Sequence, residues 1–140
     1  MAISFFFENA RVTLTDRKRL KSFISRLFKS HQREVYSLSY IFCSDKYLLE
    51  INQKFLKHDY YTDIITFDLS ETPKQVIAEV YISVDRVKDN ARALGVSVKK
   101  ELHRVIFHGA LHLCGYKDKT VKDKGIMRLE EDRNLHSYLL

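Results

Sequence analysis

Residues 108–118 read His-Gly-Ala-Leu-His-Leu-Cys-Gly-Tyr-Lys-Asp, and the rest of the chain is organised around them. His108 and His112 are four residues apart and therefore share one face of a predicted helix. Gly115 can adopt the left-handed conformation that ends a helix, which lets the chain turn back toward the histidines. Asp118 can then reach the same point in space. We predict a site for one zinc ion, bound by His108, His112 and Asp118.

The two histidines interrupt an otherwise apolar run. Between Val105 and Cys114 they are the only polar side chains, and a helix that is apolar all round is buried. A single histidine in such a helix is most simply a core residue satisfied by a backbone carbonyl. A pair at this spacing, followed by glycine and a carboxylate, favours zinc, which accepts imidazole nitrogen and carboxylate oxygen. Three protein ligands leave a fourth position open, which indicates a catalytic metal rather than a structural one.

Length and composition limit the classes of protein to which this chain can belong. The chain has 140 residues, of which 45% are hydrophobic and 30% charged, so we expect one domain, residues 1–140, with one core. No apolar run is long enough for a membrane span, and the N-terminus lacks the basic region of a signal peptide, which predicts a cytoplasmic protein. The two cysteines are too few for a disulfide framework. The net charge of +6 favours a polyanionic partner such as nucleic acid.

Hydrophobic periodicity predicts four strands and five helices. The strand-like segments are residues 3–7, 36–43, 64–67 and 76–84. Side chains that can cap a helix mark the starts of three predicted helices, at Thr15 or Asp16, at Ser44 and at Ser97, and the last three predicted helices run over about 85–95, 98–113 and 121–138. This order of elements predicts an α+β fold, with a small mixed four-stranded sheet packed by about five helices and a zincin-like metal helix.

The first predicted helix has two faces of different chemistry. Apolar residues between Leu20 and Phe28 recur at helical spacing and form a buried stripe. The opposite face carries four cations, Arg17, Lys18, Lys21 and Arg26. Such a face is commonly just solvated, but it also suits contact with RNA phosphates. The sequence leaves both interpretations open.

The histidine spacing also matches that of zinc peptidases with the pattern H-E-x-x-H-x-x-G-x-x-H. Their glutamate is the general base of peptide hydrolysis, and this chain has Gly109 at that position. The missing base argues against a peptidase, and we expect the glycine to admit a bulky substrate beside the metal. A phosphodiester fits better, because the metal and basic side chains meet its charge. A zinc peptidase whose base comes from elsewhere, for example Glu79, is the alternative.

Three motifs together resemble the YbeY family, bacterial single-strand-specific metallo-endoribonucleases of ribosomal RNA maturation. The first motif is residues 108–116, His-Gly-Ala-Leu-His-Leu-Cys-Gly-Tyr. The second begins with Ile51-Asn52-Gln53-Lys54-Phe55 and continues with Asp59-Tyr60-Tyr61-Thr62-Asp63 and a hydrophobic strand that ends at Phe67. The third is residues 78–83, Ala-Glu-Val-Tyr-Ile-Ser. Together with the chain length, the resemblance covers nearly the whole sequence.

The resemblance implies a fold, an activity and partners. The fold is a sheet of about four strands packed by helices, with zinc at one end of a cleft. The activity is zinc-dependent cleavage of single-stranded RNA, in 3′-end maturation of 16S ribosomal RNA and in ribosome quality control. The expected partners are single-stranded RNA, ribosomal RNA and the small ribosomal subunit, without a membrane. A non-catalytic, ribosome-associated RNA-binding protein with structural zinc is a further alternative.

Two positions depart from the family's pattern. Asp118 stands where the family usually has a third histidine; aspartate keeps a zinc ligand but should make a bound water less acidic. Leu56 stands where the family usually has an arginine that acts on the substrate, and it cannot bind phosphate. The neighbouring Lys57 and His58 are candidates to take over that contact.

Four residues are assigned further roles. His58, in a polar loop, is a candidate catalytic base or phosphate ligand, although it can equally be a merely exposed residue. Asp63 is a catalytic candidate that can orient a ligand histidine, or it can cap a turn. Lys57 and Arg104 are candidate substrate-binding residues; Arg104 lies one turn before His108 and can reach the rim of the site. Three tyrosines can stack on unpaired bases or pack in the protein: Tyr60, Tyr61 and Tyr116.

Overall fold

The computed structural model describes residues 2–139, which contain four strands and five helices. The strands are β1 (Ile3–Glu8), β2 (Glu34–Cys43), β3 (Ile64–Asp68) and β4 (Gln75–Ser83). The helices are α1 (Arg17–Ser30), α2 (Asp45–Leu56), α3 (Val84–Leu94), α4 (Val98–Leu113) and α5 (Val121–Leu139). The predicted α+β fold with a mixed four-stranded sheet and five helices is confirmed. No helix within residues 2–139 combines the length and apolarity that crossing a bilayer requires.

The sheet has the strand order β1-β2-β4-β3. β1 and β4 both run parallel to β2, and β3 runs antiparallel to β4. A parallel pair needs a long crossover between its strands, and α1 supplies it between β1 and β2. An antiparallel pair can be joined directly, and β3 and β4 are separated only by residues 69–74. This order leaves β3 at one edge of the sheet and β1 at the other.

The two faces of the sheet pack against different helices, because successive side chains of a strand point to opposite faces. Tyr40 of β2 and Val80 of β4 belong to the main core, together with residues of α1, α3, α4 and α5. On the other face, Ile41 of β2 and Ile65 of β3 pack with Leu48 of α2 in a smaller cluster. Helices α2 and α4 therefore lie on opposite faces, and both contact the edge strand β3.

Serine side chains cap the start of three helices. Ser44, Ser83 and Ser97 each accept a hydrogen bond from the backbone N–H three residues further on. The caps at Ser44 and Ser97 were predicted, whereas α3 begins one residue earlier than predicted because Ser83 provides its cap. Helix α1 begins directly after Asp16, as predicted, but the expected side-chain cap is wrong: Asp16 occupies the N-cap position in a left-handed conformation, with φ of 53°, and its side chain makes no capping hydrogen bond.

Helix α4 lies deep in the molecule, with eleven of its 16 residues buried. It packs against three other helices and contacts β3 and β4. A Cβ atom at Gly109 would lie 3.0 Å from Cδ1 of Ile64 and 3.1 Å from Cγ1 of Val80, which is tighter than ordinary packing allows. Glycine is thus needed for α4 to approach the sheet. The expectation that Gly109 leaves room for a bulky substrate is wrong, because this space is filled by the sheet.

Candidate metal centre

The three predicted ligands converge at the C-terminal end of α4. Oδ2 of Asp118 lies 3.3 Å from Nε2 of His108 and 3.3 Å from Nε2 of His112. One ligand atom from each residue lies within 4.8 Å of the others. Zinc binds nitrogen and oxygen at about 2.0–2.2 Å, which puts the ligand atoms of a tetrahedral site a little over 3 Å apart. The spacing therefore fits a group of residues that could hold one metal ion.

A tight turn after α4 brings the aspartate back to the histidines. Gly115 has a φ of 103°, a left-handed conformation that is strained for residues with a Cβ atom. Its N–H donates to the carbonyl of His112, and the N–H of Tyr116 donates to the carbonyl of Leu111. These bonds satisfy the last carbonyls of the helix and reverse the chain. The predicted role of Gly115 is confirmed.

The histidines are held through their other ring nitrogens. Nδ1 of His108 lies 2.6 Å from Oε2 of Glu131, and Nδ1 of His112 lies 2.9 Å from the backbone oxygen of Tyr116. Both oxygens accept hydrogen bonds, so each Nδ1 carries the proton and donates it. Each Nε2 then presents a lone pair toward the carboxylate of Asp118. While the rings are neutral, lone pairs and a carboxylate that face one another repel unless a cation, either a proton or a metal ion, lies between them, and two imidazole nitrogens with a carboxylate oxygen are donors that a metal ion accepts.

Glu131 is the main site residue that the sequence reasoning missed. It is buried on α5, and its second oxygen, Oε1, accepts a hydrogen bond of 2.9 Å from Nη1 of Arg104. Burial alone would raise the pKa of Glu131, but the hydrogen bonds from His108 and Arg104 outweigh it and lower the pKa below its usual value. A signal was present, because Glu131 stands at helical spacing between Met127 and Leu135 on the buried stripe of α5.

Acidic neighbours also act on His108. Burial alone would lower the pKa of His108, but Glu131, Asp118 and Asp63 together raise it above its usual value. The side chains around this histidine thus favour a positive charge at its position. A bound cation would gain from the same negative charges.

Arg104 does not lie at the rim of the metal site, where its predicted role in substrate binding requires it. Its side chain is only 10% exposed and does not line the pocket beside the metal site. Its two terminal nitrogens pair with Glu131 and, at 2.7 Å, with Oδ1 of Asp132. The guanidinium of Arg104 therefore fixes the carboxylate of Glu131, which in turn binds His108. This geometry points to a positioning role for Arg104.

A pocket of about 640 Å³ opens beside the three ligands, within the size range of ligand-binding clefts. It lies between α2 and α4 along β3. Its wall includes Leu56, His58 and Asp63, together with the ligands His108, His112 and Asp118. Lys57 is exposed at the end of α2, in a left-handed conformation, and is not part of the wall. Among the described residues, the lining contains three aspartates and no lysine or arginine.

His58 and Tyr60 form an exposed pair at the mouth of this pocket. Their rings are nearly parallel, with centroids 5.2 Å apart, and the hydroxyl of Tyr60 lies 3.0 Å from Nδ1 of His58. The buried Asn52 donates a hydrogen bond of 2.8 Å to the carbonyl of Tyr60 and so ties this loop to α2. Nε2 of His58 does not take part in the contact with Tyr60, which leaves it available to a bound molecule.

Tyr116 packs within the protein. Its hydroxyl lies 3.0 Å from Nε2 of His31, and Nδ1 of His31 donates to the carbonyl of Leu27. The ring is partly buried against the main core. Of the two interpretations of Tyr116, the structure shows packing. These contacts hold the turn that follows α4 in place. The backbone oxygen of Tyr116 in this turn orients the ring of His112.

Comparisons with known proteins identify the family. The model of the family Endoribonuclease YbeY matches residues 6–139. The chain belongs to the YbeY endoribonuclease family. The endoribonuclease YbeY of Cytophaga hutchinsonii is 50% identical over 133 residues, which cover 95% of this chain and 93% of that protein. The endoribonuclease YbeY of Porphyromonas gingivalis is 46% identical over 133 residues, covering 95% and 87%.

A solved structure shows the same fold. The solution structure of TM1509 from Thermotoga maritima aligns with a TM-score of 0.62 and 27% identity, covering 94% of this chain and 86% of that one. The family match and the two relatives confirm the resemblance to the YbeY family. The family match includes every residue that lines the pocket, from Asn52 to Asp118.

Proposed function

We propose that this protein is a zinc-dependent endoribonuclease that cleaves single-stranded RNA. One observation carries the proposal: Nε2 of His108, Nε2 of His112 and the carboxylate of Asp118 converge in an open pocket of a chain that belongs to the YbeY endoribonuclease family. Three protein ligands beside a pocket leave room for a water and a substrate. This favours a catalytic metal over a structural one.

We propose zinc as the bound metal. Two imidazoles with one carboxylate make up a ligand set common in catalytic zinc sites, whereas Mg²⁺ and Ca²⁺ prefer oxygen ligands alone. A bound zinc ion supplies Lewis acidity and lowers the pKa of its water toward neutrality. Asp118 adds a negative charge that a third histidine would not add. Lys117 and Lys119, its neighbours in the chain, are placed to offset that charge.

The chain's own residues keep the ligands in position. Glu131 holds the ring of His108, and Arg104 keeps the carboxylate of Glu131 in place. The carbonyl of Tyr116 holds the ring of His112. Ligand orientation of this kind typically changes metal affinity or activity by about 10–100-fold. We therefore assign Glu131 and Arg104 to positioning.

Residues at the pocket wall are proposed to act on the RNA. His58 lines the pocket, and its contact with Tyr60 uses Nδ1 and leaves Nε2 free of that contact, so we assign it the proton transfer to the leaving oxygen. Asp63 adds negative charge near His108 and is proposed to steady the positive charge of the site. Lys57 lies at the end of α2 next to the pocket wall, where it is proposed to contact a phosphate of the strand.

Exposed aromatic rings support the preference for single strands. Tyr60 lines the pocket and is 57% exposed, and the neighbouring Tyr61 is 52% exposed, with the guanidinium of Arg86 over its ring. Unpaired bases stack on such rings, whereas bases of a duplex are already stacked on each other. The pocket mouth therefore favours RNA whose bases are free.

The biological substrate is proposed on the strength of the family. Membership of the YbeY family supports a role in 3′-end maturation of 16S ribosomal RNA and in ribosome quality control. It also supports contact with the small ribosomal subunit and work in the cytoplasm, where ribosomal RNA is processed. The peptidase alternative is not proposed, because Glu79 does not line the pocket and instead accepts a hydrogen bond from Tyr81.

The test combines metal content with cleavage. We expect the purified wild-type protein to carry about one zinc ion per chain and to cleave a single strand much faster than the same sequence in a duplex. His112→Ala should lose the zinc and cleave at least about 100-fold more slowly. His136→Ala, which changes an exposed histidine on α5, is the matched control and should behave as wild type. Absence of zinc from the wild type, or unchanged cleavage by His112→Ala, would overturn the proposal.

A further inference from the structure

The positive charge of this protein is concentrated on one helix. The chain carries 24 lysines and arginines and 18 aspartates and glutamates. Helix α1 alone carries six of the basic residues and no acidic one. The other 126 residues therefore carry 18 basic and 18 acidic side chains and are formally neutral. The whole net charge of +6 is thus the charge of α1.

Two of the six cations on α1 are engaged in packing. Arg17 donates to the carbonyl of Leu14 and lies over the ring of Phe7. Arg19 donates to the carbonyl of Tyr138 and lies over the ring of the same residue. These two arginines fasten α1 to the rest of the molecule. They leave four other cations for an outside partner.

The remaining four cations lie on the outer face of α1 or at its border. Lys18, Arg26 and Lys29 are exposed, and Lys21 is half-buried with its ammonium over the ring of Phe5. At 100° per residue, Lys18, Arg26 and Lys29 project away from the buried stripe of the helix, whereas Lys21 lies at the border of that stripe. No carboxylate within residues 2–139 forms a salt bridge with any of them. From Lys18 to Lys29 the row is about 17 Å long.

A groove runs beside this row. It has a volume of about 380 Å³, and its polar walls come from Lys21, Arg26 and Lys29 and from the hydroxyl residues Ser22 and Ser25. No acidic residue of the described chain lines it. Lysine, arginine and serine side chains are the groups that proteins use to contact phosphate oxygens. The groove therefore has the chemistry of a phosphate-binding surface.

The groove and the metal pocket lie at opposite edges of the sheet. The groove includes Ala2 and Ile3 at the start of the edge strand β1, whereas the pocket follows the other edge strand, β3. Two strands separate these edges, which corresponds to about 14 Å. A chain bound in both places must be extended and longer than the few nucleotides that fill the pocket.

We propose that the outer face of α1, with the groove formed by Lys21, Arg26 and Lys29, is a second RNA-binding surface that holds the phosphate backbone of a long single strand away from the cleavage site. The proposal rests on the proposed function for its choice of RNA as the polyanion. Contacts there carry no sequence information, because phosphates are the same in every sequence. The surface adds affinity for long RNA and leaves the chemistry at the metal centre unchanged.

The experiment compares two variants with the same net charge. The first replaces Lys18, Arg26 and Lys29 with glutamine. The matched control replaces Lys46, Lys100 and Lys124, exposed lysines on three other helices, with glutamine. Binding to a 2′-O-methyl single strand of about 30 nucleotides, long enough to pass both sites, is followed by fluorescence anisotropy between about 50 and 200 mM salt. Urea denaturation of each variant confirms that it is folded.

The α1 variant should lose tenfold or more in affinity near 100 mM salt, and its log–log salt slope should fall by about 2, since each lost phosphate contact on a single strand removes about 0.7. Cleavage of a strand of about four nucleotides should keep its wild-type rate, and cleavage of a long strand should slow. Equal affinities and slopes for the two triple variants would overturn the proposal. Displacement of the RNA by polyglutamate at equal charge concentration would also overturn the proposal. It would indicate that the outer face of α1 binds an acidic protein.

The outcomes separate this inference from the proposed function. A protein that cleaves RNA but whose α1 variant binds like the control would refute the second surface alone. A protein that does not cleave RNA, but loses RNA binding when α1 is neutralised, would refute the proposed function and support the surface.

Discussion

Leu56 forms part of the pocket wall at a place where a cation would meet the substrate. Its side chain is 40% exposed at the end of α2 and lines the same cavity as His108 and Asp118. Because the described lining contains aspartates but no lysine or arginine, the pocket itself does not compensate the charge of a phosphodiester. That task falls to the proposed metal ion and to residues at the mouth, such as Lys57.

Substitution of this leucine by arginine should therefore improve substrate binding. We expect Leu56→Arg to lower the KM for single-stranded RNA about tenfold, because a hydrogen bond between charged groups contributes about 1.5–3 kcal/mol and about 1.4 kcal/mol is a factor of ten. The exposed position at the end of a helix accepts a long side chain. Steady-state cleavage of a labelled strand at fixed salt measures the effect.

Leu56→Met is the control for this change, since it keeps an uncharged side chain of similar length. Its KM should stay within about twofold of the wild-type value, because the volume of the side chain hardly changes. A KM for Leu56→Arg equal to that of Leu56→Met would show that no phosphate passes this wall.

At the scale of the elements, one carboxylate couples helix α5 to helix α4. The two oxygens of Glu131 accept from His108 and from Arg104, respectively. All three side chains are at least four-fifths buried. A glutamine at this position would offer only one acceptor oxygen and would turn an amide N–H₂ toward one of the two donors. The metal ligand and the helix packing therefore depend on the same side chain.

We expect Glu131→Gln to weaken zinc binding by about 10–100-fold, the usual effect of losing a residue that orients a metal-ligating histidine. Competition with a chromophoric chelator measures this affinity independently of catalysis. Urea denaturation should show a loss of stability as well, because a buried charge pair is left incomplete.

Glu130→Gln is the matched control on the same helix. Glu130 pairs with Arg133, whose side chain is 69% exposed, and such surface pairs contribute about 0–1 kcal/mol. The control should keep wild-type zinc affinity and nearly wild-type stability. A zinc affinity of Glu131→Gln that matches the control would contradict the positioning role.

In the molecule as a whole, the proposed metal site joins helix α4 to the segment that leads into α5. Two ligands belong to α4, and the third lies in the segment that leads into α5. A ligand that binds only the folded state stabilises it by about 2.7 kcal/mol at a concentration 100 times its Kd. Zinc should therefore stabilise the entire fold as well as the site.

Removal of the metal should lower the Tm of the wild-type protein by about 10 °C, the shift that about 2.7 kcal/mol produces in a domain of this size. Calorimetry before and after treatment with a chelator, and again after zinc is restored, measures the change. The Tm of His112→Ala should not respond to either treatment. A metal-free protein that is fully folded and still cleaves RNA would instead show that zinc has no catalytic role.

Sequence patterns predicted the elements well because the patterns are local. Apolar periodicity identified all four strands and all five helices of residues 2–139, and the serines at Ser44 and Ser97 marked helix starts. The start of α3 was misplaced by one residue because Val84 was assigned to the preceding strand. The conformation of Asp16 has no comparable local signal, since it depends on how the chain enters α1 from β1.

The sequence by itself determined the group His108, His112 and Asp118, because helix spacing and one glycine turn act within eleven residues. Only the tertiary structure decided that Glu131 supports His108, since the two residues are 23 positions apart and meet only when α5 packs on α4. It also turned Arg104 toward α5 and placed Gly109 against β3 and β4. Backbone hydrogen bonding sets geometry within a turn, whereas these contacts depend on which elements pack together.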